Sequence, residues 1–178
     1  AIARFGGAAD FVARFMLAKL GLDPLKDVTI VQVGTTPDRL TALEAKRVQA
    51  TVLVPPVTYM AQKKGFYLMA DAATHGLAYQ HQGAVTTRKY LREHPDVVRN
   101  FVKSYIESVH RMKTDREGGI KILAKHLRTD DREILEKTLD NSITENKLPQ
   151  KQYPTLEGIK TILDQLALKD PKARAAKP

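Results

Sequence analysis

Three short stretches of the chain carry residues suited to holding a small ligand. The first is RFGGAAD, residues 4–10, in which Gly6, Gly7 and Ala8 keep bulky side chains away from the start of a helix. The first turn of a helix has N–H groups without intrahelical partners, and the helix dipole adds a partial positive charge there. A carboxylate, sulfonate, phosphate or nitrate-like group suits that chemistry. Arg4 places a guanidinium at the same turn and Phe5 an apolar edge. The same glycines also suit a tight turn with close helix packing and no ligand.

The second stretch is VGTTPDR, residues 33–39, where Thr35 and Thr36 bring two hydroxyls together; Thr36 is expected to cap the next helix, with Pro37 at its first position. The third is VLVPPVTYM, residues 52–60, where Pro55 and Pro56 stiffen a turn and Thr58 or Tyr59 faces a cleft, unless the prolines simply start a rigid helix. Catalysis is not indicated. The chain has no G-x-S-x-G elbow, no H-E-x-x-H and no phosphate-binding P-loop. Its paired-acid candidates, Asp130–Asp131, Glu133–Glu136 and Asp10 with a distant partner, read as solvated helix faces. With no Cys, and with five His at 75, 81, 94, 110 and 126 showing no ligand-like pairing, neither a metal nor a cofactor is expected.

The elements that must position these stretches follow from periodicity. AIARF, DVTIVQVG, VQATVLVPP and FYLMAD read as strands, alternating with the helical stretches ADFVARFMLAKLGLD, TTPDRLTALEAKR and VTYMAQKKG. That alternation predicts an α/β fold: an open, mainly parallel sheet lobe with helices on both faces, followed by a C-terminal helical layer. In such a sheet ligands collect at the carboxyl ends of the strands, where all three stretches lie. Beyond residue 78 the texture changes. QGAVTT reads as one more strand. Thr87 opens RKYLREH, and Pro95 starts a long helix with an apolar stripe of Val98, Phe101, Tyr105, Val109 and Met112. Three further amphipathic helices present Ile120, Leu123 and Leu127, then Ile134, Leu135, Leu139 and Ile143, then Leu156, Ile159, Leu163 and Leu166. The tail KDPKARAAKP is expected to fray. The expected organisation is a ligand-binding lobe over 1–78, a hinge-like crossover over 79–87 and a helical segment of another lobe over 88–178.

The 178 residues, 43% of them hydrophobic, suffice for a real core, since a chain of about 150 residues already buries roughly two-thirds of its unfolded surface. A net charge of +9 raises the question of nucleic acid, but Lys and Arg are interleaved with acids and no aromatic stacking platform appears, so nucleic-acid binding is not expected. No apolar run reaches the ~20 residues that span a bilayer, and no signal peptide is visible in this chain.

Taken together, RFGGAAD, KLGLDPLKDVTIVQVG, the P-x-R-L-x-A-L helix with its following A-x-V-L-x-P-P, and TTRKYLREHPDVVRNFVKSYIES occur in an order that resembles the second lobe of solute-binding proteins from nitrate-, sulfonate- and taurine-type ABC importers. The resemblance covers residues 1–168. It implies a periplasmic-binding-protein-like clamshell that captures a small, anionic or organic solute for import, without catalysis, in a periplasmic or extracellular membrane-associated location. It points to Arg4, Gly6, Gly7, Ala8, Thr35 and Pro55 as cleft-facing, and implies an ABC permease as partner of the full-length protein. Two departures stand out. The family usually carries Ser or Thr in the first turn, whereas GGAA leaves only backbone donors. It also carries an N-terminal segment that this chain lacks, so the helices after 88 are expected to need another cover, such as a second copy. The alternatives are a sensor or self-associating module without transport, and an enzyme of the related pyrimidine-precursor type, whose expected Cys and His cluster is absent.

Overall fold

The computed structural model describes residues 1–144, 148–149, 153–167 and 170–176. Nine helices are formed among them: α1 (Ala8–Lys19), α2 (Thr36–Glu44), α3 (Val57–Lys63), α4 (Arg88–Glu93), α5 (Pro95–Thr114), α6 (Arg116–Leu127), α7 (Arg132–Ser142), α8 (Leu156–Ala167) and α9 (Pro171–Ala175). The expected sheet does not form. Among the described residues the β-structure is one isolated parallel bridge, Ile2 to Gln32, so the α/β reading with a parallel-sheet lobe is corrected to a helical chain with irregular connections.

The physical reason lies in the partners and cover of the apolar runs. Ile2 donates to Val31 O at 2.9 Å and accepts from Val33 at 3.0 Å, while the Thr51 hydroxyl donates to Ala1 O at 3.0 Å. Three segments thus meet side by side at one point. The pairing stops there because side chains take the next backbone groups: Gln32 Oε1 accepts from Phe5 N, and the Arg39 guanidinium donates to Gly34 O and Val52 O. A parallel sheet also needs both faces covered. Val31, Val54, Leu68 and Met69 stay exposed, and Tyr67 and Val85 almost completely so.

The helices follow their end signals closely. Thr87 caps α4 by accepting from Tyr90 N, and Pro95 opens α5. Asp115 and Asp131 cap α6 and α7 by accepting from Gly118 N and Ile134 N. The cap of α2 is Thr35 rather than Thr36, so Pro37 falls at the second helical position. The tail expected to fray instead forms α9, capped by Asp170.

The chain divides into two units, Ala1–His81 with Thr155–Pro178, and Gln82–Pro154. In the first unit Ile2, Leu40, Ala42, Val48 and Ala61 are buried. In the second, Ile120, Leu135 and Leu139 form the centre, with Met112, Leu123, Ala124, Leu127 and Ile143 packed around them. Arg132 grips Glu117 at 2.5 and 2.9 Å and Arg116 grips Asp140, tying α6 to α7 at the surface. Such exposed pairs set alignment more than stability. The apolar centre carries the energy, and Ile120→Val is expected to cost about 1 kcal/mol by removing one buried methylene. Urea denaturation of the variant checks this, and an unchanged midpoint would move the core elsewhere.

Candidate functional site

The first expected junction is a compact exposed turn. Gly6 has φ +75°, a left-handed conformation that costs a glycine nothing, and a Cβ built there would meet open space. Gly7 is the N-cap of α1, and a Cβ on it would lie 3.1 Å from Arg4 Cγ and 3.3 Å from Arg4 O. The two glycines therefore serve different ends. Gly6 allows the bend, and Gly7 lets the Arg4 side chain fold close over the start of the helix.

The Gly6 and Gly7 amides are not bare. Gly6 N donates to Asp10 Oδ2 at 2.8 Å, and Gly7 N donates to Arg4 O at 3.3 Å. Asp10 is only 4% exposed and also accepts from Arg14 Nε at 2.7 Å. No side chain caps α1, and among the described residues no hydrogen bond is made by the amides of Ala8 and Ala9. The open donors therefore sit one and two residues beyond Gly7. Arg4 is exposed and forms no ion pair among the described residues. Its Nε would be 3.5 Å from a Gly7 Cβ, so the cation lies against the same turn. Phe5, 55% exposed, borders it.

At the second junction both hydroxyls are engaged. Thr35 Oγ1 donates to Asp38 Oδ2 at 2.5 Å and Thr35 N donates to the same carboxylate at 2.9 Å, while Asp38 N donates back to Thr35 Oγ1 at 3.5 Å, a reciprocal cap. These bonds, aided by the nearby Arg39 charge, hold the Asp38 carboxyl below its ordinary pKa. Thr36 Oγ1 accepts from Arg39 Nη2 at 3.2 Å. At the third junction the Pro55–Pro56 bond is cis and Pro56 leads into α3. One turn on, Thr58 Oγ1 is buried without a hydrogen-bond partner, an exception to the rule that buried polar atoms are paired.

The structure ties these junctions together through residues the sequence reading did not single out. Gln32 links the second segment to Phe5 N at 3.3 Å. Arg39, 4% exposed, reaches Gly34 O at 2.6 Å and Val52 O at 3.0 Å, bracketing the second and third junctions. The signal for Arg39 was present in the P-x-R-L pattern of residues 37–40. The signal for Asp10 was an acid at the third position of a helix, where it reaches back to a preceding amide.

A cleft of ≈ 290 Å³ also lies in the first unit, with Phe11, Phe15 and Leu77 on its apolar side and Glu157, Thr161 and Asp164 on its polar side. Asp164 is paired with Lys160 at 2.7 Å, which offsets its charge at the cleft. No group of His, Cys, Asp and Glu among the described residues could hold a metal ion.

A model of the NMT1-like family matches residues 1–128. Neither a curated protein nor a solved structure shows a significant match to the chain.

Proposed function

The chain belongs to the NMT1-like family of nitrate-, sulfonate- and taurine-type ABC solute-binding proteins, and from that premise we propose that it captures a small anionic or organic solute at the turn between Arg4 and Ala9, for delivery to an ABC permease in the periplasm. The family supports the coarser role of non-enzymatic solute binding outside the cytoplasm. One observation carries the choice of site: α1 starts without a side-chain cap, and among the described residues the Ala8 and Ala9 amides make no hydrogen bond and the adjacent Arg4 guanidinium forms no ion pair. Two N–H donors, a helix dipole and a bidentate cation together recognise a planar or tetrahedral oxyanion.

Phe5 supplies an apolar contact for the organic part of such a solute. Thr35, Thr36, Pro55 and Pro56 act behind this seat. Thr35 and Thr36 fix the second junction, and the proline pair sets the start of α3.

The test is a calorimetric titration against nitrate, short alkyl sulfonates and carboxylates. Arg4→Gln is expected to weaken the best anion about tenfold, the value of one charge-assisted contact, with unfolding unchanged because Arg4 is exposed. Gly7→Val is expected to abolish binding by pushing Arg4 off the turn. If the anion binds all three proteins equally, or no member of the panel binds the parent chain, this site is wrong.

A further inference from the structure

The cleft of the first unit has walls that specific contacts hold apart. Phe11 and Phe15, one turn apart on α1, form its apolar side with Leu77. Glu157, Thr161 and Asp164 recur at i, i+4 and i+7 of α8 and share one helix face on the polar side. Gly158 sets how close that helix comes. A Cβ there would lie 2.8 Å from Gln80 N and 3.2 Å from the Tyr79 carbonyl carbon, so α8 rests directly on the backbone of that segment. Thr155 N donates to Gln80 Oε1 at 3.1 Å and pins the same contact. Tyr79 in turn stacks on Phe11, with ring centroids 5.1 Å apart, and holds that ring in place. Leu156 and Leu166 of α8 are meanwhile 68% and 48% exposed, whereas apolar collapse alone would turn them toward the rings.

We infer that this cleft is a second binding site, separate from the turn at Arg4, for a small primary amine with an aromatic body. Three observations select that guest. The first is size. At about 30 Å³ for each water-sized group, ≈ 290 Å³ holds a molecule of roughly nine heavy atoms, near the lower limit of ligand pockets.

The second is hydrogen bonding. Glu157 and Asp164 are acceptors only, and the Thr161 hydroxyl donates its proton to Glu157 O at 3.1 Å, which leaves its lone pairs. Among the lining side chains only the Gln165 amide offers a donor. An acceptor-rich rim is met best by an ammonium, which has three donors and no acceptor.

The third is charge. Lys160 offsets Asp164, but Glu157 forms no ion pair among the described residues, so its carboxylate faces the cleft uncompensated. Aromatic faces add to the attraction for a cation. One group opposes it: Lys19 Nζ lies 5.5 Å from the Phe15 ring centroid, and its like charge weakens the amine.

Ligand-observed NMR titration of the full chain with phenethylamine, phenethyl alcohol and phenylacetate tests the inference, because these probes share a ring and differ in the polar end. The amine is expected to bind at about 1 mM or tighter, as the best small guests do, and the alcohol and the carboxylate at least ~10-fold more weakly. Glu157→Gln should weaken the amine about tenfold and leave the alcohol unchanged. Lys19→Met should strengthen the amine about two- to threefold. Thr161→Phe should block the amine by placing a ring in the cleft, with circular dichroism unchanged. Arg4→Gln should leave amine binding intact, so this site and the anion seat are read separately. An amine that does not bind at ~10 mM, that binds no better than the alcohol, that tolerates Glu157→Gln or Thr161→Phe, or that is lost with Arg4→Gln overturns the inference.

Discussion

Replacing Asp10 by alanine is expected to cost about 2–3 kcal/mol of stability and to remove anion binding at the first turn. Asp10 is almost wholly buried, yet its carboxylate has two specific tasks. One oxygen accepts from Gly6 N, holding the left-handed residue in place, and the other accepts from Arg14 Nε one turn along α1. Hydrogen bonds to charged groups contribute about 1.5–3 kcal/mol, and the exposed Gly6 amide would turn to water in place of the carboxylate. Arg14 is partly exposed and rehydrates, which limits the loss on that side. The effect on binding is indirect. Without the carboxylate the Gly6 turn is free to unwind, and the Ala8 and Ala9 amides no longer point from a fixed helix end.

Asp10→Asn keeps one acceptor and should retain about half of that stability. Urea denaturation together with the anion titration reads both effects. A D10A protein within about 0.5 kcal/mol of the parent, the range of surface substitutions, would mean that the turn is held by other contacts.

The helical ends were legible because their signals are local. Thr87 and Pro95 start α4 and α5 where their chemistry places them, since a hydroxyl three residues before an amide, or a ring with a fixed φ, acts without help from distant residues. The strands were not legible for the converse reason. VTIVQV and VQATVLV have the composition of buried strands, but composition states what a segment would do if both faces were covered and its neighbours free to pair. Here Ile2 finds Val31 and Val33, and beyond that point Gln32 and Arg39 use the backbone groups that a ladder needs. Long-range side chain to backbone bonds leave no periodicity in a sequence.

The local geometry of the candidate turn was legible only in part, by the same logic. The glycine turn could be read from RFGG, but not which amides remain open. That depends on Asp10 folding back, as Asp38 folds back onto Thr35 in α2. In both helices an Asp at the third position closes the preceding turn. The choice between Thr35 and Thr36 as cap is settled by that spacing, because only Thr35 lies three residues before Asp38.

Arg39 ties the second and third junctions together, and Arg39→Leu is expected to cost about 3–5 kcal/mol. Its guanidinium donates to Gly34 O, Val52 O and Thr36 Oγ1, three acceptors on two separate junctions, from a position that solvent barely reaches. Burial lowers the Arg39 pKa and the neighbouring Asp38 charge raises it, and a guanidinium remains charged in either case. Leucine fills the same space but leaves the half-buried carbonyls of Gly34 and Val52 without donors, at about 1–3 kcal/mol each. Arg39→Lys separates charge from geometry. A single ammonium retains the charge but cannot span both junctions as the planar fork does, so it should recover less than half of the loss. Hydrogen exchange at the Ile2 and Val33 amides gives the local readout, because the bridge they form is bounded by the contacts that Arg39 makes. Faster exchange there, with the amides of α6 and α7 unchanged, is expected for both variants. A lysine variant as stable as the parent would show that charge alone, and not the three-way fork, fixes the second and third junctions.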